Sequence, residues 1–75
     1  MPRSQHSDRY KLLRQRLFKA RGAAGITQAE LAYRLKKPQS FVSKYESGER
    51  RLDAIELLDV AQALAVPLSA LLRGL

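Results

Sequence analysis

The strongest constraint on this chain lies between Gly25 and Gly48, where helix starts and stops follow one another too closely for any long element. Thr27 and Glu30 have the Thr-x-x-Glu spacing of a capping box, in which a hydroxyl and a carboxylate satisfy the open amides of a helix's first turn. The helix so begun turns Leu31, Ala32 and Leu35 inward. It cannot pass Lys37, because Pro38 disfavours helical geometry in the residue before it. Pro38 itself suits the first turn of another helix. That helix reaches Ser47, and Gly48 supplies its stop. Two short helices joined by a tight turn are expected.

The flanking segments continue in helices. Ser7 fits an N-cap, with Asp8 favourable beside the positive end of the helix dipole. Tyr10, Leu13, Leu17, Ala20 and Ala24 form a helical stripe, which Gly22 weakens by about 1 kcal/mol relative to Ala. Gly25 suits a left-handed stop, with Ile26 as the apolar residue after it. Asp53 and Glu56 repeat the capping pattern further on. There Ala54, Leu57, Leu58, Ala61, Leu64 and Ala65 are expected to face inward, and Glu56, Asp59 and Gln62 outward. Pro67 breaks the chain again, and residues 68–73 give a last short helix. There is no strand pattern, low-complexity segment or internal repeat. The expectation is a compact all-α domain of five helices over residues 8–75, after a flexible polar tail at 1–7.

Seventy-five residues make one small domain. A chain of this size buries only about 60% of its unfolded surface. It has no cysteine, which excludes disulfides and thiolate metal sites and fits a reducing compartment. No apolar run approaches the roughly 20 residues that span a bilayer, and Met1 to Ser7 is too short and polar for a secretory signal. A soluble cytoplasmic protein with no membrane partner is expected. The net charge of +7 is uneven: residues 1–51 carry 13 Lys and Arg against 4 Asp and Glu, whereas residues 52–75 are net −2. One side thus suits a polyanion, although Lys and Arg can also simply solvate a small domain.

Catalysis is not expected. The one histidine, His6, lies in the polar tail and reads as a surface residue. There is no cysteine nucleophile, no phosphate-cradling glycine loop and no metal-ligand cluster, so neither cofactor nor metal is expected. Glu30, Asp53 and Glu56 have structural uses in helix caps.

The helix from Pro38 to Ser47 carries the functional signal. At about 100° per residue, Pro38, Val42 and Tyr45 cluster on one side, and Gln39, Ser40, Ser43, Lys44 and Ser47 spread over the other. Taken alone, this is an amphipathic helix with a solvated face. It also suits the DNA major groove, where Gln pairs with adenine, Lys reaches guanine acceptors and Ser serves base or phosphate.

Gly25-Ile26-Thr27-Gln28-Ala29-Glu30-Leu31-Ala32, followed by Gln39-Ser40-Phe41-Val42-Ser43-Lys44-Tyr45-Glu46-Ser47-Gly48-Glu49, closely resembles the phage repressor and Cro-like (xenobiotic-response-element type) helix-turn-helix family. The resemblance covers about residues 13–72. It implies a lambda-repressor-like fold of five helices, with the third as recognition helix. By position, it places Gln39, Ser40 and Lys44 against bases. Gln28 would hold a phosphate and brace the recognition helix. Ser43, Arg50 and Arg51 would follow the DNA backbone, unless the two arginines merely solvate a turn. Arg21 and Glu46 would form a structural ion pair.

Some positions depart from the family. Pro38 stands where a capping Ser or Thr is usual, so that hydroxyl contact is missing. Phe41 replaces a small polar residue, and either packs inward, the favoured reading, or touches a thymine methyl. Pro67 replaces a common capping Ser. Leu12 and Phe18 lie off the first helix's stripe, as core under the tail or as a contact surface. The expected function is a sequence-specific DNA-binding transcriptional regulator. It would act as a homodimer on a near-palindrome, because one monomer reads too few base pairs. Leu68, Leu71, Leu72 and Leu75 are candidates for the dimer contact or for the monomer core. The alternative is an antitoxin or other protein-binding module, with a toxin as partner and secondary DNA binding.

Overall fold

The structure, a computed structural model, describes residues 7–75; His6 and the rest of the expected tail before Ser7 lie outside the described residues. Five helices follow in order: α1 (Asp8–Ala24), α2 (Gln28–Leu35), α3 (Gln39–Ser47), α4 (Ala54–Ala63) and α5 (Leu68–Leu72). No strand occurs among the described residues.

The caps form as the side-chain chemistry dictates. The Ser7 hydroxyl accepts the Tyr10 amide at 3.1 Å. Thr27 and Glu30 exchange both capping-box bonds, at 2.8 and 3.0 Å. Asp53 and Glu56 do the same at 3.0 and 2.8 Å. The Thr27 amide, donating to Glu30, holds that carboxyl below its ordinary range. Gly25 ends α1 in the left-handed region at φ 72°, and Gly48 ends α3 at φ 89°.

The helix after Thr27 stops short of Pro38 as expected, ending at Leu35 where Lys36 turns left-handed at φ 58°. Two boundaries differ from the expected ones. Pro38 precedes α3 as its N-cap, with extended backbone (φ −68°, ψ 156°), and does not sit within the first turn. The last helix ends at Leu72, one residue before Arg73.

α2 packs on α3 and α4, while α1 packs on α3 and α5. The core between them holds Tyr10, Leu13 and Leu17 from α1, Ile26 after it, and Leu31 and Ala32 from α2. Phe41, Val42 and Tyr45 come from α3, Val60 and Ala61 from α4, Leu64 from its end, and Leu71 from α5. The expected stripe on α4 is therefore corrected: Val60 is fully buried, whereas Ala54, Leu58 and Ala65 are exposed. Ala65 cannot share the helical face because it lies beyond Ala63 in a left-handed turn (φ 57°). Ala24 is likewise exposed at the outer end of α1, and Leu12 and Phe18 lie on the surface. Of the four C-terminal leucines, Leu71 is core, Leu68 and Leu75 are half-buried against it, and Leu72 is exposed.

Long side chains join the layers. Arg16 donates to the Leu71 carbonyl at 3.0 Å and to the Arg73 carbonyl, tying α1 to the chain end. The Tyr10 hydroxyl accepts the Leu52 amide at 3.0 Å, fixing the loop before α4.

Candidate functional site

α3 is anchored by what it buries. Val42 and Tyr45 are fully enclosed, and Phe41 meets the Tyr45 ring edge-on at 5.9 Å between centroids. This burial pushes the Tyr45 phenol upward, which keeps it neutral. With that side committed, helical periodicity leaves Gln39, Ser40 and Lys44 exposed and Ser43 half-buried on the other.

One flank of the polar face is braced by a chain of bonds. Arg21 of α1 grips Glu46 of α3 with two, Nε to Oε2 at 2.7 Å and Nη2 to Oε1 at 3.0 Å. The Glu46 side chain is only 4% exposed, so this pair is largely desolvated, and it raises the Arg21 pKa. Gln28, at the start of α2, donates its amide to Glu46 Oε1 at 2.9 Å. Gln39 in turn donates to Gln28 Oε1 at 3.5 Å. Arg21, Glu46, Gln28 and Gln39 thus form a chain of bonds across three helices, the outermost of which, at 3.5 Å, reaches the first exposed side chain of α3.

On the outer face, Ser43 Oγ donates to the Ser40 carbonyl at 3.3 Å, and Ser47 Oγ donates to the Lys44 carbonyl at 3.0 Å. Lys44 reaches Glu49 only at 4.0 Å, with both side chains in solvent, so its ammonium is weakly held.

The other flank was not legible beforehand. Phe41 is buried, as packing required, but its ring also faces two cations: the Arg50 guanidinium at 4.8 Å and the Lys37 ammonium at 5.4 Å from the centroid. Arg50 does not simply solvate its turn. It donates twice to Glu56, at 2.9 and 2.7 Å, and this grip, with the Asp53 amide, draws the Glu56 carboxyl down to about 2. Arg51 lies over the Tyr10 ring at 4.8 Å. No helical spacing rule joins Arg50 to Glu56, because a loop separates them; only the cap residues at its end hinted at a nearby carboxylate.

The site is therefore an exposed amide, hydroxyl and ammonium surface on a rigidly held helix, bordered by cations and without a deep cleft. Among the described residues no group of His, Cys, Asp or Glu could hold a metal ion, and no helix is long and apolar enough to cross a membrane.

Comparison with known proteins gives concordant results. A profile of the helix-turn-helix family matches residues 17–71. An uncharacterized transcriptional regulator in the ATPase CF(0) region of Rhodospirillum rubrum is 41% identical over 54 residues, 72% of this chain and 50% of that protein. The chain thus spans about half the length of that curated relative. A solved XRE-family like protein from Pseudomonas syringae pv. tomato is 55% identical, with a TM-score of 0.85, over 89% of this chain and 82% of that one.

Proposed function

Because this chain belongs to the phage repressor and Cro-like (XRE-type) helix-turn-helix family, we propose that it is a sequence-specific DNA-binding transcriptional regulator that lays α3 in the major groove. The observation that carries this reading is the outward polar face of α3, held in place through the Arg21–Glu46–Gln28–Gln39 network. A major groove about 12 Å wide admits one helix. Gln39, Ser40 and Lys44 would meet base edges there. Gln28, Ser43, Arg50 and Arg51 would follow the sugar-phosphate backbone, with Arg50 already engaged by Glu56. The net charge of +7 adds the attraction to DNA that does not depend on sequence.

One α3 reads only a few base pairs, so a homodimer on a near-palindrome is the working form, its two recognition helices about 34 Å apart. A second reading is a protein-binding antitoxin with secondary DNA binding, and no feature among the described residues favours it over the first. Selection of bound duplexes from a random pool, with stoichiometry measured, tests the proposal. A near-palindromic site bound by two chains is the expected outcome. Recovery of no preferred sequence, or of sites bound by one chain, would overturn the specific or the dimeric part.

A further inference from the structure

The flank of α3 opposite the Gln28 network carries Phe41, with Lys37 and Arg50 over its ring. On the helical wheel Phe41 and Lys44 lie on the same side, so these cations border the polar face next to Lys44. The two are not equivalent. Arg50 gives two bonds to Glu56, whose side chain is 17% exposed against 40% for Arg50, so its guanidinium is oriented and its charge partly offset. Lys37 is exposed and makes none of the ion pairs of 4.0 Å or less among the described residues. The acids near it are Glu56, spent on Arg50, and Asp59, which lines the same small cleft with Leu35 and Phe41.

The ring therefore does separate things for its two cations. One side of it meets the Tyr45 ring edge-on, at 5.9 Å between centroids. Arg50, held from behind by Glu56, packs on the ring at 4.8 Å from its centroid. Lys37 rests against the same ring on a four-carbon stem, which narrows the directions its ammonium samples. Pro38, next in the chain, offers no side-chain hydrogen bond at the start of α3. Lys36 and Lys37, just before it, are both exposed cations, and of the two Lys37 is the one that lies over the Phe41 ring.

Resting on the function proposed above, we propose that Lys37, positioned by Phe41, is the main phosphate-contacting cation on this flank, and that Arg50, the lesser backbone contact, serves chiefly to hold the ring. Phe41 is on this account a positioning residue. It replaces a polar contact with a platform that aims a neighbouring charge.

The test is duplex binding by the full chain as a function of salt, with K37M, R50M, F41L and the double variant F41L/K37M. A lost phosphate contact flattens the slope of log K against log salt by about 0.9 per subunit. K37M should show that change, with affinity falling equally on preferred and random duplexes, and R50M should show a smaller one. F41L keeps an apolar side chain but loses the ring's charge distribution, so it should weaken binding about two- to fivefold. In the K37M background it should have no further effect on the slope. A K37M slope equal to that of the unaltered chain, or an R50M change at least as large, overturns the inference and leaves the regulator reading intact. Failure of the unaltered chain to bind any duplex at low salt overturns both. Should F41L not fold, the comparison of K37M with R50M decides alone.

Discussion

Lys44 is the residue at which base reading and general attraction to DNA separate. Its ammonium is exposed and only loosely associated with Glu49, so it is available to either a guanine edge or a phosphate. If it reads a base, Lys44→Ala should cost about 1–3 kcal/mol on the preferred site and much less on random duplex. Equal losses on both, in parallel titrations, would make it a backbone contact. Two glycines test the backbone at the same scale. Gly25 and Gly48 both adopt left-handed geometry, which costs an L-residue about 1–2 kcal/mol. A Cβ at Gly25 meets nothing within 4 Å, but one at Gly48 would lie 2.5 Å from Arg14 Nη1. Gly48→Ala should therefore be the more destabilising in urea unfolding, because the Arg14 side chain must also move. Equal costs would mean that Arg14 yields freely.

At the scale of elements, two ion pairs do different work. Arg21 and Glu46 join α1 to α3 with little solvent access, and removal of Arg21 would strand a carboxylate that is itself a partner of Gln28. Arg50 and Glu56 clip the loop after α3 to the first turn of α4. The Glu56 carboxyl titrates at about 2 in the folded chain against an ordinary 4.5, and the Arg50 contact is the larger cause. A carboxyl lowered by folding binds its proton more readily when unfolded, so its stabilisation is complete above 4.5 and disappears as pH falls toward 2. Glu56→Gln preserves the capping geometry and removes the charge. This variant should be less stable than the parent at neutral pH, with the gap narrowing below pH 4.5 and closing near pH 2. A gap independent of pH, measured by urea unfolding across that range, would show that the ion pair contributes nothing.

For the whole molecule, α5 is where a monomer's core and a dimer's contact divide. Leu71 is 3% exposed and closes the core, so Leu71→Ala should cost about 2–5 kcal/mol in unfolding. Leu72 is 39% exposed, and Leu72→Asp should leave monomer stability within about 0.5 kcal/mol. If α5 carries the dimer contact, the same variant should sediment as a monomer and lose cooperative binding to paired half-sites. Unchanged sedimentation would move the contact elsewhere, for example to Ile55 and Leu58, which are exposed one turn apart on α4. How much was legible beforehand follows from the range of the forces involved. Caps, stops and the wheel of α3 depend on bonds within four residues, so Thr27 with Glu30, Asp53 with Glu56, Gly25 and Gly48 announce their elements without any tertiary information. The polar face of Gln39, Ser40 and Lys44 follows from periodicity in the same way. Which apolar side of α4 turns inward is settled by its neighbours, and Val60 won over Leu58 because the other helices occupy that side. The partners of Glu46 and Arg50, and the two cations on Phe41, were likewise decided only when loops brought distant segments within hydrogen-bond reach. Contacts closed by a loop leave no repeating signal along a chain, so local chemistry determined the helices while packing decided which of their charges remain available.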